Sequence, residues 1–271
     1  MNGFDQFFDD LGNESVICET HGEYTQSTMR VKKTGKIIVT QCQKCNAIRK
    51  EQQETQKQKE YYDKLRADSN QAKVKKLLTA SFIPNKFRSM SFDNFVITDG
   101  NRKALIKFKA FVDSLSVRLS NGNGFIVKGD IGTGKTHLCC ALATQAINAG
   151  HSAVFTTIEE IALEIREARN FSNNSSEKVV LAKYSNIDLL IIDDIKASLT
   201  DEESKLMSVI LDSRYKLIKS TFITTNLALD VNNKSDPLSL YKALGERSID
   251  RLREYNDVVI LAGQSMRGKS V

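Results

Sequence analysis

The chain has 271 residues, with 39 Lys and Arg against 33 Asp and Glu, and a formal net charge of +6. That length holds one substantial α/β core and a small appendage. No apolar run approaches the roughly 18 residues that a bilayer-spanning helix needs, and the acidic start does not resemble a secretion signal, so a cytoplasmic protein is expected. In a reducing compartment its five cysteines read as ligands or core residues, not disulfides.

At the amino terminus Phe4, Phe7, Phe8 and Leu11 fall at i, i+3, i+4 and i+7, with Asp5, Asp9 and Asp10 off the stripe. This spacing predicts a helix whose apolar face docks on the next domain or in a partner's groove. Cys18-x-x-His21 and Cys42-x-x-Cys45 then flank a hairpin: Tyr24 to Val31, a turn over Lys32 to Lys36, and Ile37 to Thr40. Two close pairs joined by a hairpin supply four N/S ligands at tetrahedral spacing, as in a structural zinc ribbon with no open coordination position. So small a domain has too little core to fold unaided, and bound metal would supply much of its stability.

Residues 47–80 are rich in Gln, Lys and Glu and contain neither Gly nor Pro, which predicts a solvated helical connector. From Lys44 to Arg88 there are 12 basic and 5 acidic residues, a surplus of +7 against +6 for the whole chain. The excess positive charge therefore belongs to the connector. It is either a solvated face or a contact for single-stranded DNA or an acidic partner, with Tyr61 and Tyr62 able to stack on bases. The expected domains are residues 1–46, 47–80 and 81–271.

Past residue 81, strand-like runs near 125–127, 153–157, 188–192, 221–225 and 257–261 alternate with helical patterns, implying a parallel sheet covered on both faces. Thr157-x-x-Glu160 and Thr200-x-x-Glu203 read as capping boxes that start helices, Asp236-Pro237 as another helix start, and Gly150 as a helix end. Residues 129–136 read Gly129-Asp130-Ile131-Gly132-Thr133-Gly134-Lys135-Thr136, a complete G-x-x-x-x-G-K-[ST] loop entered by a strand and left by a helix starting near His137. Its glycines let backbone N–H groups cradle phosphate, with Lys135 on the β- and γ-phosphates and Thr136 on a magnesium ion. The residues from Gly129 through His137 form the candidate nucleotide-binding set. Cys139 and Cys140 in the helix that follows are expected to pack. Asp188 to Asp194 is a buried-strand run ending in two carboxylates, of which Asp193 would organise the magnesium and Asp194 orient or deprotonate the attacking water. A third strand ends at Asn226, placed to position that water or touch the γ-phosphate.

Over about residues 80–271 these pieces resemble the AAA+ ATPases, and within them the replicative-helicase loaders of the DnaC/DnaI type. Ile83-Pro84-Asn85-Lys86-Phe87-Arg88 and Ser91-Phe92-Asp93-Asn94-Phe95 are similar to the family's entry segment. Gly129 to Thr136 matches Walker A, Asp193-Asp194 Walker B, and Thr225-Asn226 the sensor 1 strand end. Leu244 to Arg253 resembles box VII, whose arginine reaches the ATP of a neighbouring subunit, here Arg247 or Arg251. Ser265-Met266-Arg267 is similar to sensor 2. The resemblance implies a five-stranded sheet in the order 5-1-4-3-2, magnesium-dependent hydrolysis of ATP to ADP, and self-association through the trans arginine. It further implies single-stranded DNA and a DnaB-type helicase hexamer as partners. Ten residues follow the last strand run, so no separate helical lid is expected and Arg267 would act from a short tail. Asp194 departs from the Glu common at that position. An IstB-type transposition helper ATPase shares nearly the same core, but the zinc ribbon and charged connector favour the loader. A zinc-ribbon DNA-binding module with a degenerate nucleotide site is disfavoured by the intact Lys135, Thr136, Asp193 and Asn226.

Overall fold

The computed structural model describes residues 7–170, 174–229, 236 and 238–266. The chain divides into two compact units, Met1–Ser69 and Asn70–Val271.

In the first unit, strands β1 (Phe8–Cys18), β2 (Gly22–Val31) and β3 (Ile37–Val39) form an antiparallel sheet in the order β1-β2-β3. The helix expected over the first aromatic residues is not what forms there. Phe8 and Leu11 lie in β1, whose register runs from Phe8 opposite Val31 to Cys18 opposite Gly22, with a bulge between Asp10 and Gly12. The helical spacing of the apolar residues loses to an eleven-residue strand whose ladder satisfies its backbone groups. Gly12 and Asn13, weak helix formers, sit in its middle. Gly12 takes a positive φ of 118° while its N–H donates to Asp10 Oδ1 at 2.9 Å, so the bulge uses the one residue free of a Cβ penalty. Phe4 lies outside the described residues. The β2–β3 hairpin forms as its sequence indicates, Met29 opposite Ile38.

Helix α1 (Gln43–Ala80) runs unbroken for 38 residues, none of them buried. At 1.5 Å per residue it is about 57 Å long. It begins ahead of the connector expected from composition and takes Cys45 into its first turn.

The second unit is a doubly wound α/β fold. After a 3-10 turn at Asn85–Phe87 come α2 (Arg102–Asp113), α3 (Leu115–Ser120), β4 (Gly124–Gly129), α4 (Lys135–Asn148), β5 (Ala153–Thr156), α5 (Ile158–Asn170) and α6 (Asn174–Asn186). Then follow β6 (Leu189–Ile195), α7 (Asp201–Lys216), β7 (Ser220–Thr225), α8 (Leu240–Leu244), α9 (Glu246–Tyr255) and β8 (Asn256–Leu261). The strands are parallel in the order β5-β6-β7-β4-β8, which is 5-1-4-3-2 when numbered within the sheet and read from the other edge. Successive strand residues feed opposite layers. Phe125, Val127, Leu189, Ile191 and Phe222 pack with α2, α3 and α4, while Ile126, Leu190, Ile192 and Ile223 pack with α5 to α9. This period-two division makes each strand read as one continuous apolar run.

The helix boundaries have local causes. Thr157 and Glu160 cap α5 reciprocally at 3.0 and 3.3 Å, and Thr200 and Glu203 do the same for α7 at 2.8 and 3.2 Å. Gly150, at φ 86°, closes α4, its N–H on Ile147 O and that of His151 on Ala146 O. Helix α8 starts later than Asp236-Pro237 suggests. Asp236 Oδ1 accepts from the Leu238 N–H at 2.8 Å, making a turn, and Ser239 is the cap, accepting from the Lys242 N–H at 3.2 Å. Pro237 lies outside the described residues. The largest fully buried side chain is Arg214 of α7. It donates to the carbonyls of Tyr184, Ile187 and Ser220 and to Thr221 Oγ1, tying α6 and the starts of β6 and β7 together. Burial pulls its guanidinium down to about 9.

Candidate functional site

Strand β4 delivers the chain at Gly129, and the loop turns through Gly132 (φ 82°) and Gly134 (φ 101°) before α4 begins at Lys135. Both glycines are needed for space as well as for φ. A Cβ on Gly134 would enter the Phe95 ring, and one on Gly132 would strike Ser265. The carboxyl-terminal segment is clipped here, Met266 N–H donating to Gly132 O at 2.9 Å and Ala262 N–H to Gly100 O at 3.0 Å. Thr133 Oγ1 donates to Asp130 O at 2.9 Å, and Lys135 Nζ donates to Gly129 O and Asp130 O at 2.7 and 2.9 Å. Burial lowers the Lys135 pKa against the opposing field of Asp193, Asp194 and Asp130. Its ammonium is thus held inside the loop, on the carbonyls of Gly129 and Asp130. The N–H groups of the first turn of α4 lack intrahelical acceptors and present the positive end of its dipole. His137 is tied instead to the entry segment, Nε2–H donating to Ser91 O at 2.8 Å with its ring edge-on to Phe95 at 5.1 Å. Ile131 is exposed. Cys139 and Cys140 are fully buried in the core, and burial pushes both thiols up.

The end of β6 meets this loop. Thr136 Oγ1 donates to Asp193 Oδ2 at 3.0 Å, and Thr224 Oγ1 of β7 donates to Asp193 Oδ1 at 2.5 Å. Burial raises the Asp193 pKa, opposed by the two hydroxyls. The register between β6 and β7 slips between Ile192 and Ile195, and inside the slip Asp194 adopts φ 57°, its N–H donating to Thr224 Oγ1 at 2.8 Å. Adjacent acids on a regular strand would face opposite sides of the sheet. Here Asp193 turns toward Thr136 while Asp194 stands exposed, 4.0 Å from Lys196. A left-handed non-glycine residue at a strand end is the local strain found at working sites. Thr224, which sequence reading passed over in favour of Asn226, is the residue that organises both acids. Its one sequence signal is a hydroxyl one residue before the end of a buried strand. Asn226 is exposed just beyond β7.

The two box VII arginines differ. Arg251 of α9 is 19% exposed, ion-paired with Asp212 of α7, its guanidinium over the Tyr215 ring at 5.2 Å. Arg247 is 78% exposed and only reaches Asp212 Oδ1 at 3.8 Å. Both share one helix face, as their spacing requires. Arg267 lies outside the described residues.

In the first unit, Cys18 at the end of β1, His21 in the turn, Cys42 before α1 and Cys45 in its first turn bring their ligand atoms within 4.8 Å of one another. Cys18 Sγ lies 3.6 Å from Cys45 Sγ, and His21 Nδ1 lies 3.7, 3.7 and 3.2 Å from the sulfurs of Cys18, Cys42 and Cys45. Tetrahedral bonds of about 2.3 Å to sulfur and 2.0–2.1 Å to nitrogen give ligand–ligand edges of about 3.5–3.8 Å. The set therefore fits a tetrahedral metal ion. The Thr20 backbone N–H and the His21 ring lower the Cys18 thiol to about 6, and its neighbour Cys45 is correspondingly raised.

Residues 47–271 match the family described as IstB-like ATP binding protein. The chain belongs to this family of AAA+ ATP-binding proteins. Among its relatives, the replicative helicase loader DnaC of Buchnera aphidicola subsp. Baizongia pistaciae is 31% identical over 188 residues, covering 69% of this chain and 72% of that one. The replicative helicase loader DnaC of Escherichia coli K12 is 28% identical over 199 residues, or 73% and 76% of the two chains. In fold, the chain is similar to a crystal structure of the DnaC helicase loader, with a TM-score of 0.56 over 66% of this chain and 99% of that chain at 23% identity. A DnaI crystal structure gives a TM-score of 0.53 over 69% of this chain and 95% of that chain at 21% identity. None of the described helices is long and apolar enough to cross a membrane.

Proposed function

We propose that this protein is an ATP-dependent loader that places a ring-shaped replicative helicase on single-stranded DNA. The observation that carries the ATP chemistry is the Thr136–Asp193–Thr224 chain of hydrogen bonds, 3.0 and 2.5 Å long. It joins the phosphate loop to the strand-end acids as magnesium-assisted phosphoryl transfer requires. Thr136 and Asp193 would hold the magnesium ion, whose chemistry when bound is to neutralise phosphate charge. Lys135 grips the β- and γ-phosphates, Asp194 orients the attacking water and accepts its proton, and Asn226 positions the same water. Arg247 or Arg251 acts in trans on a neighbouring subunit's γ-phosphate, and Arg267 supplies a further contact from the tail. The Cys18, His21, Cys42 and Cys45 set holds structural zinc, and residues 1–46 form the surface that grips the helicase. The relatives named as helicase loaders, at 28 and 31% identity, favour this reading over a transposition helper.

The test is co-purification of the full chain with its host's replicative helicase and ATP-dependent delivery of that helicase to a single-stranded circle. Lys135→Ala and Asp194→Asn should retain the helicase but fail to complete delivery. Retention of a transposase and not the helicase would overturn the loader reading.

A further inference from the structure

The carboxyl-terminal end of α7 and one face of α9 meet in a cluster built around a single guanidinium. Asp212 and Tyr215 lie three apart on α7, so they share a face, and that face receives Arg251 of α9. Asp212 Oδ1 is buried and faces the Arg251 guanidinium, while Oδ2 takes the Lys216 ammonium at 2.7 Å. The guanidinium carbon stands 5.2 Å from the centre of the Tyr215 ring. That ring is itself held, its hydroxyl donating to Glu254 Oε2 at 2.7 Å and Tyr255 standing edge-on with centroids 5.6 Å apart. An ordinary surface ion pair has neither an aromatic floor nor a buried carboxylate oxygen to fix its plane.

Arg214, on the same helix α7, supplies a contrast. It is used for cohesion alone, and its Nε, Nη1 and Nη2 all donate to groups of its own chain. Arg251 spends Nη1 on Asp212 and rests on a ring, and among the described residues its Nε and Nη2 donate to no acceptor. Those two nitrogens form one edge of the guanidinium, the edge that meets an anion with two parallel hydrogen bonds. Arg251 is therefore fixed at one end and unspent at the other. Arg247 reaches the same carboxylate only at 3.8 Å and is mostly exposed, so its long side chain has no comparable support.

We propose that Asp212 and Tyr215 are positioning residues for ATP hydrolysis, holding Arg251 so that its free Nε–Nη2 edge is presented to the γ-phosphate bound by a neighbouring subunit. Neither side chain touches the nucleotide, and both act through the arginine. A group held in place before the reaction loses no rotamer freedom when the phosphate arrives, and it meets the developing charge in the right orientation. The inference rests on the trans-arginine reading above and selects the supported arginine for that role.

The test is steady-state ATPase of the full-length, metal-replete chain, with single variants and with mixed subunits. Asp212→Asn and Tyr215→Leu should each lower kcat by about 10–100-fold with KM for ATP within about twofold, the size expected when a reacting group is misplaced. Tyr215→Phe, which keeps the ring, should recover most of the loss seen with Tyr215→Leu. Mixing then assigns the defect to one side of the interface. Lys135→Ala subunits keep the clamp and its arginine, so adding them to Asp212→Asn subunits should restore turnover at the intact phosphate loop. Adding Arg251→Ala subunits should not, because both partners then lack a positioned arginine. Thermal melts and ATP binding check folding, and Tyr215→Leu repeats the mixing if Asp212→Asn folds poorly. A merely cohesive Asp212 would lose melting temperature and ATP affinity within its own subunit, with no rescue by Lys135→Ala. That result, with Arg251→Ala still rescued, would overturn the proposal and leave the trans arginine standing. So would an unchanged kcat in both clamp variants, or full activity of Arg251→Ala with Arg247→Ala alone rescued. If neither arginine variant is rescued, the trans reading itself fails and the proposal falls with it.

Discussion

Residues 70–271 bury an apolar layer on each face of a parallel sheet, whereas in the amino-terminal unit the buried residue, among those described, is Cys42, one of the metal-site residues. The larger unit is held by the hydrophobic effect acting on strands sealed from both sides. The smaller unit has a thin sheet with Ile17, Ile37 and Val39 exposed, and a cluster of three cysteine sulfurs and one imidazole. Two stabilising principles in one chain mean that a perturbation aimed at one unit should leave the other standing.

The sharpest break in this comparison is removal of the metal. Cys42→Ser, or a strong chelator, should release one zinc per chain and unfold the ribbon, because a structural site contributes about 10–16 kcal/mol to folding. Nucleotide binding by the larger unit should persist. Limited proteolysis with elemental analysis checks this, and an ordered amino-terminal unit without zinc would refute it.

Next in size is the arginine contribution, which tests whether the self-contained larger unit is catalytically complete alone. A trans arginine is worth about 10³–10⁵ in rate. Specific ATPase activity should therefore climb with protein concentration. Mixing Arg251→Ala or Arg247→Ala subunits, whose phosphate loop is intact, with Lys135→Ala subunits should restore turnover for whichever arginine acts. Concentration-independent activity with no rescue by either pair would make the unit a monomeric ATPase. Arg251 carries a second expectation from its ion pair with Asp212 and its place over Tyr215. Its removal should lower the melting temperature of the larger unit, while removal of the 78% exposed Arg247 should not.

Within the site, Asp194→Asn should slow hydrolysis by about 10²–10⁴ with ATP affinity nearly unchanged, the range of a lost general base. Lys135→Ala should instead weaken ATP binding by about 10–100-fold, since a charge-assisted hydrogen bond is lost. Equilibrium binding and single-turnover rates separate the two. Equal loss of affinity in both would reassign Asp194 as a metal ligand.

A last test acts on the core of the larger unit alone. Arg214→Ala orphans the carbonyls of Tyr184, Ile187 and Ser220 and should cost about 3 kcal/mol or more, at about 1–3 kcal/mol for each buried group left unpaired. Thermal melts should show the core transition lowered and zinc content unchanged. A melt unaffected by the substitution would mean that water replaces the guanidinium.

The sequence alone determined what depends on contiguous residues. The phosphate loop was readable because its glycines, lysine and threonine act from adjacent positions, and the five strands because burial on both faces leaves an uninterrupted apolar run. The zinc-type ligand set was readable because paired ligands must be close in the chain to be close in space. Tertiary structure decided the rest. It turned the Phe8 to Leu11 stretch into a strand, since β2 offered a complete ladder that a helix with Gly12 and Asn13 could not match. It gave Thr224 command of both acids through a slipped register, and it buried Arg214 where three carbonyls converge from α6 and the starts of β6 and β7. It separated Arg251 from Arg247 by placing the Tyr215 ring of α7 under Arg251 and Asp212 closer to Arg251 than to Arg247. Apart from the Ser220 carbonyl, six residues from Arg214, each of these partners is more than ten residues away, and pairing at that distance is set by packing and not by any local pattern.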